Sequence, residues 1–259
     1  VTSVPPPSSG GIVLGQALNI LEKFDLSQHD SVTRKHIIIE AMRRAYRDRA
    51  AYLGDSDFVY IPIERLLDKN YAEGLALTID INHATPSNEL GSIVAANNLG
   101  ENTTHFSVVD KKGNKVSATL SINLPFGSGF VIEGTGILLN NEMDDFTIKP
   151  LTANNYGLVG YQANIIHPGK RPLSSMTPTF VESNDRIGIL GTPGGSRIIS
   201  MVLLAILDFT EGKLPQSWVG LSRFHHQYLP DLVQYEKDGL TIDEKRKLVL
   251  KGHKLKEIK

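Results

Sequence analysis

Apolar residues in the first part of the chain recur at helical spacing. Ile12, Leu14, Ala17, Leu18, Ile20 and Leu21 share most of one face and predict a helix over 12–24. A longer helix is predicted over 31–53, with Ile37, Ile38, Ala41, Ala45 and Ala51 inside and its arginine-rich side in water, and the two should pack together. A short helix follows at 71–77. Residues 82–102 read as polar loop around Pro86, Gly91, Asn97, Asn98 and Gly100. Ahead of all these, Pro5, Pro6 and Pro7 followed by Ser8, Ser9, Gly10 and Gly11 predict an exposed arm or connecting loop over 1–11.

At Thr103 the pattern becomes that of strands. Runs at 105–109 and 116–122 flank Asp110-Lys111-Lys112-Gly113-Asn114, a hairpin signal with glycine at the left-handed position. Further strands are predicted at 136–139, 179–182 and 186–190. The polar stretch 144–171 is longer than ordinary loops, and loops of that length usually act as lids or gates. A buried helix is predicted over 196–209, directly after Pro193-Gly194-Gly195. Residues 232–259 read as a strand and a charged helix that stops without a closing element.

Composition narrows what this arrangement can be. With 259 residues and 41% hydrophobic positions the chain can bury a real core, as one large domain or two small ones. Twenty-seven basic residues balance 28 acidic ones, so no global field draws it to nucleic acid or an anionic membrane. The absence of cysteine excludes disulfides, thiolate metal sites and a cysteine nucleophile, and leaves the redox compartment open. No secretory signal is visible, and the most apolar segment, 198–207, is too short to span a bilayer.

Candidate chemistry is scattered and individually ambiguous. Thr103 and Thr104 place hydroxyls at a strand start, where threonine is also simply a good strand former. Gly191-Thr192-Pro193-Gly194-Gly195-Ser196 is a strand, tight turn and helix start that can present N–H groups to an anion, or merely a turn needing glycine. Ser196 and Arg197 follow where a phosphate loop needs lysine and then a hydroxyl, so that reading fails. Ser174 and Ser175 sit between the basic pair Lys170 and Arg171 and an apolar strand. Asn140, Asn141, Glu142, Asp144 and Asp145 gather amides and carboxylates that suit a metal, a substrate ammonium or a plain acidic loop. His225 and His226 diverge as sequence neighbours and make a poor shared metal site, and no Gly-x-Ser-x-Gly elbow is present.

In register, however, four segments resemble the γ-glutamyltranspeptidase family. They are Asn102-Thr103-Thr104-His105-Phe106-Ser107-Val108-Val109-Asp110, the run from Gly136 through Asn140-Asn141-Glu142-Met143-Asp144-Asp145-Phe146, Lys170-Arg171-Pro172-Leu173-Ser174-Ser175-Met176, and Thr192-Pro193-Gly194-Gly195-Ser196-Arg197. The resemblance extends to Pro5-Pro6-Pro7, to Ala45-Tyr46 and Leu53-Gly54-Asp55, and to Arg223-Phe224-His225-His226-Gln227. It implies an α+β fold, the αββα sandwich of N-terminal nucleophile hydrolases, made as a precursor that cuts itself before a threonine. Carried onto this chain, the cut falls between Asn102 and Thr103. Residues 1–102 then close a large subunit, and 103–259 supply most of a small one, paired as a heterodimer within one structural domain.

The resemblance also assigns roles. Thr103 becomes the nucleophile and, through its new α-amino group, its own base; such amines titrate at about 7.7–8.0, so a useful fraction is unprotonated near neutrality. Ser121 stands where many relatives carry a second threonine supporting the nucleophile. Asn123, Glu142 and Asp145 match groups holding the α-ammonium end of a γ-glutamyl substrate, Ser174 and Ser175 the pair on its α-carboxylate, Gly194 and Gly195 the oxyanion hole, and Tyr156 a gating lid tyrosine. The implied reaction is ping-pong acyl transfer from a donor such as glutathione to water, an amino acid or a peptide, with no metal or organic cofactor, no nucleic acid and no membrane segment. A periplasmic, secreted or outer-surface location is implied. The family's large subunit continues upstream, where it carries an arginine clamping the donor carboxylate, and its small subunit continues further, so the sandwich is expected to be incomplete at both ends. The competing readings are a relative acting on poly-γ-glutamate and a noncatalytic, unprocessed protein that keeps the glutamyl pocket.

Overall fold

The computed structural model describes residues 1–91, 103–150 and 152–258. Asn102, one half of the expected cleavage junction, and the end of the 82–102 loop lie outside the described residues. Seven helices are described: α1 (Gly10–Leu21), α2 (Ser31–Tyr52), α3 (Ile63–Leu66), α4 (Lys69–Leu77), α5 (Ile198–Thr210), α6 (Pro215–Gly220) and α7 (Ile242–Leu250). Eight strands accompany them: β1 (Thr2–Ser3), β2 (Thr103–Val109), β3 (Lys115–Ser121), β4 (Thr179–Glu182), β5 (Ile187–Leu190), β6 (Phe224–His225), β7 (Val233–Glu236) and β8 (Leu255–Ile258). The fold is α+β.

Helix α2 starts where the Asp30 carboxylate accepts from the Thr33 N–H at 2.7 Å, capping donors that have no partner within the helix. It ends at an extended Leu53 followed by Gly54, whose Cα lies so close to the Ala163 carbonyl that a side chain would collide with it. Between these ends α2 packs along α1, which also touches α4 and α5. Ile20, Ile37, Ile39, Leu14 and Leu66 are fully buried there, each worth about 1.5–3 kcal/mol relative to exposure. One continuous core joins residues on both sides of Thr103.

The strands form three small sheets, ordered β1-β4-β5, β2-β3 and β6-β7-β8. The hairpin β2-β3 is in strict register from Thr103 opposite Ser121 to Val109 opposite Lys115, and Gly113 turns it at φ 84°. Helix α5 packs on β5, with Phe209 against Gly188. On its other side β5 meets the hairpin, where Ser117 Oγ donates to the Leu190 carbonyl at 3.2 Å and Gly191 leaves room for the His105 ring. The order helix, sheet, sheet gives three of the four layers that the resemblance implies. The outer hairpin face carries exposed Phe106, Val108, Val116 and Leu120.

Four expectations require correction. Residues 136–139 are not a regular strand: Leu138 forms a single isolated bridge with Val131, and the neighbouring stretch 128–132 is held to it by only three backbone bonds between the positive-φ glycines Gly127, Gly129, Gly134 and Gly136, which interrupt a continuous ladder. The arginine-rich side of α2 is not in water, since Arg43, Arg44 and Arg49 are buried at 1%, 0% and 5% exposure. The first eleven residues are not an exposed arm: β1 pairs antiparallel with β4, and Ser8 and Ser9 are buried. The C-terminal stretch has a closing element, because β8 pairs parallel with β7 through the α7 crossover. Among the described residues no helix is long and apolar enough to cross a membrane.

Candidate active site

Five chain segments meet at the head of the β2-β3 hairpin. Their pocket is lined by Thr103, Ser121, Asn123, Glu142, Asp145, Tyr156, Ser174, Ser175, Gly195 and Ser196, and the cavity they enclose is small, about 20 Å³. Of the ten residues the resemblance singles out, Gly194 alone is not in this lining, and it adjoins Gly195, which is.

The strand register itself juxtaposes the hydroxyls, with Thr103 directly opposite Ser121 and Thr103 Oγ1 donating to Ser121 Oγ at 3.3 Å. Beyond Ser121 the chain turns sharply. Asn123 takes a left-handed backbone at φ 70°, its N–H donating to Ser121 Oγ at 2.8 Å and its amide Nδ2 to the Asn141 carbonyl at 3.1 Å. Asn141 answers by accepting the Leu124 N–H on Oδ1 at 3.0 Å. This exchange fixes the 3-10 turn Glu142–Asp145 beside the hydroxyls.

The stretch 152–171 is tied down rather than loose. Asn154 Nδ2 donates to Asp145 Oδ1 at 3.2 Å, and the Asn155 N–H donates to Asp144 Oδ2 at 3.0 Å. Tyr156 is buried, its hydroxyl donating to the Asn123 carbonyl at 2.7 Å and its ring filling the space a side chain at Gly195 would need. Gly194 and Gly195 adopt φ of 141° and 55°, which only glycine takes readily, and they lead into α5. Such a turn presents N–H groups toward an anion. From below, Tyr46 of α2 braces it by donating to the Ser196 carbonyl at 2.5 Å.

Ser174 and Ser175 line the pocket as well. The Ser174 carbonyl accepts from both the N–H and the Oγ of Ser9, at 2.9 and 2.7 Å. Arg171 grips Asp55 through its backbone N–H at 2.8 Å and Nε at 2.9 Å, which fixes the approach to the serines. Beneath them Arg49 donates from Nε to Ser9 Oγ at 2.9 Å and from Nη2 to Ser175 Oγ at 3.0 Å.

Electrostatically the pocket favours a cation at one end. Burial pushes the Glu142 carboxyl above the ordinary carboxylate range, and Glu142 Oε1 is buried without a hydrogen-bond partner. Asp145 is pushed up further, first by burial and then by the charge of Glu142, while Arg49 opposes the rise. Two such carboxyls hold a proton between them until a cation replaces it. Tyr156 is raised by burial and by the same carboxylates, so it remains a neutral donor.

The sequence matches the gamma-glutamyltranspeptidase family over residues 1–259. The chain belongs to the gamma-glutamyltranspeptidase family. It is 48% identical over 259 residues to the glutathione hydrolase proenzyme of Escherichia coli K12, covering 98% of this chain and 44% of that protein. It therefore spans less than half the length of that curated relative. A T380A mutant of the Helicobacter pylori gamma-glutamyltranspeptidase superposes with a TM-score of 0.58 at 48% identity, over 60% of this chain and 84% of that one. A cephalosporin acylase from Bacillus halodurans superposes with a TM-score of 0.79 at 28% identity, over 99% of this chain and 44% of that one. The fold is that of the N-terminal nucleophile hydrolases.

Sequence reasoning missed Tyr46, Arg49 and Asn141 as supports of this pocket. A signal for the first two was present: Ile39, Met42, Tyr46, Arg49 and Leu53 recur at three- and four-residue steps, which puts an arginine on the buried stripe of α2. Away from the pocket, His36, Glu40 and His253 bring potential metal-ligand atoms within 4.8 Å of one another. Their hydrogen bonds explain the cluster without an ion. The Asp80 carbonyl can only accept, so His36 Nε2 carries a proton toward it at 2.8 Å, and His36 Nδ1 accepts from His253 Nε2 at 2.7 Å.

Proposed function

We propose that this chain forms the catalytic part of a γ-glutamyl transferase or hydrolase acting through a γ-glutamyl-Thr103 ester. The observation that carries the reading is the pairing of Thr103 with Ser121 at the head of β2, inside a pocket that also gathers a carboxyl pair and two serine hydroxyls. A γ-glutamyl group has a cationic ammonium and an anionic carboxylate on one carbon, and this pocket offers the complement of each.

In this reading the chain is cut between Asn102 and Thr103, and the two pieces stay together as large and small subunits. The freed α-amino group takes the Thr103 hydroxyl proton as Oγ1 attacks the γ-carbonyl carbon. Gly194 and Gly195 N–H groups stabilise the oxyanion. The C–N bond breaks, the proton leaves on the departing amine, and an ester remains. Water or an amino group then attacks that ester and returns Thr103 to its starting state. Ser121 holds the nucleophile's orientation, Asn123, Glu142 and Asp145 hold the ammonium, Ser174 and Ser175 hold the carboxylate, and Tyr156 covers the site. Glutathione fits as donor because it carries the same γ-glutamyl amide. On this reading the protein works in the periplasm, as a secreted protein or on the outer cell surface.

The test uses the protein expressed from its full reading frame. Intact mass should reveal a species beginning at Thr103, and amine release from a γ-glutamyl anilide should exceed release from the glutaryl anilide, which lacks the ammonium. Equal turnover of the two anilides would favour a general acylase. Persistent uncut chain without turnover would favour a noncatalytic glutamyl-binding protein. Thr103→Ala should abolish both cutting and turnover.

A further inference from the structure

We infer that Arg49 is a positioning residue that sets, from beneath the pocket, the charge of the Asp145 carboxyl, which with Glu142 receives the substrate's ammonium, and the alignment of the Ser175 hydroxyl. This inference rests on the γ-glutamyl reading above and adds to it a residue outside the pocket lining. Arg49 is 5% exposed, yet among the described residues no carboxylate lies within ion-pair distance of it. Its hydrogen bonds go to two neutral hydroxyls, those of Ser9 and Ser175. Arg43 and Arg44 on the same helix are buried too, but both are paired with Glu40. A guanidinium buried without a carboxylate is costly to keep, and here its electrostatic counterpart is one cavity away.

That cavity is small, about 10 Å³, and is lined by Arg49, Asp145, Asn154, Asn164 and Leu173. Asp145 lines both this cavity and the substrate pocket, so it is the partition between them. The other charged or titratable groups bearing on the pair are Asp144 and Tyr156 on the pocket side, with Tyr46 one helical turn below Arg49. An ammonium binds well only to ionised carboxyls, and Arg49 is the cation that opposes protonation of Asp145. Through Nη2 the same guanidinium aligns Ser175, which also lines the pocket. One side chain thus couples the two parts of the zwitterion site.

The experiment measures kcat/KM for a γ-glutamyl anilide against pH in the protein from its full reading frame, with wild type, Arg49→Gln and Arg49→Lys. Arg49→Gln removes the charge, so its acidic limb should move upward by about one pH unit, with KM raised tenfold or more and kcat lowered less. Arg49→Lys keeps the charge but cannot reach both serines. Its limb should stay at the wild-type position while KM still rises. Melting temperature and the extent of cutting at Thr103 report folding, and if Arg49→Gln does not accumulate, the position of the Arg49→Lys limb decides. An unshifted Arg49→Gln profile, or an Arg49→Lys limb displaced by half a unit or more, overturns the role of Arg49 in an active protein. A wild type inactive on the anilide overturns the functional reading itself and this inference with it.

Discussion

Helix α2 carries two buried charged clusters that are built on opposite plans. Around its middle, Glu40 sits between Arg43 and Arg44, the latter at 2.6 Å, and Arg43 also meets Asp231 and donates to Ser87 Oγ at 2.7 Å. Asp231 in turn accepts from the Ser87 N–H at 3.0 Å, and the His36–His253 bond closes the cluster on the far side. One and a half turns later, Arg49 has hydroxyls for partners, Glu142 leaves an oxygen unpaired, and two carboxyls crowd together. The first cluster is complete without a ligand and holds the fold. The second is left short of a cation, which is the state expected of groups kept for a substrate.

The largest stability effect should come from breaking the complete cluster. Glu40→Ala leaves the buried Arg44 with no carboxylate and Arg43 with Asp231 alone, and should cost about 3–5 kcal/mol in denaturant unfolding, where removing one partner of a buried pair is most damaging. A loss below 1 kcal/mol would erase the distinction drawn above. Asp145→Asn should behave in the opposite way. It replaces a carboxyl that is largely neutral in the empty pocket, so stability should change by less than about 1 kcal/mol, while KM for a γ-glutamyl donor should rise by about ten- to a hundredfold. Equal losses of stability in the two variants would show that both clusters are structural.

The subtlest contrast lies in pH. Burial lowers the His226 and His253 pKa values to about 4 and 3, so the folded state binds fewer protons than the unfolded one between those values and the ordinary histidine range. Their contribution is complete above about 6.5 and fades as pH falls. Glu142 and Asp145 run the other way. Their raised values make the unliganded protein bind extra protons, so their contribution is complete below the ordinary carboxyl range and fades as pH rises through the raised values. Melting temperature followed from pH 4 to 9 should show both limbs, and Asp145→Asn should flatten the alkaline one alone.

What the sequence disclosed depended on whether a residue's partner was local. α1, α2, the hairpin, β4 and β5 emerged within three residues, because apolar spacing and turn chemistry decide them. β8 stayed hidden, since a four-residue, charge-bearing strand is recognisable only beside β7, which it reaches across α7. Arg43, Arg44 and Arg49 were placed in water because arginine is mostly exposed. Arg43 and Arg44 pair with the local Glu40, a spacing that a wet helix face shows equally well, and their burial becomes visible only with the distant partners Asp231 and Ser175 of Arg43 and Arg49. The pocket's composition was readable through four motifs in family register, but its coupling to α2 was not, because Tyr46 and Arg49 act across the fold through a carbonyl and a hydroxyl.

The stretch before Thr103 is stitched into the stretch after it at every level: β1 on β4, Ser9 on Ser174, Tyr46 on Ser196, Arg171 on Asp55 and the Tyr228 hydroxyl on the Gly91 carbonyl at 2.7 Å. A break in the backbone between Gly91 and Thr103 would therefore add a chain end without adding a joint. The two pieces would tumble as one body, and neither would keep a surface able to stand alone in water. Pulled apart by denaturant, they would have to find each other by diffusion, so recovery of the nicked molecule would depend on concentration where that of the uncut chain would not.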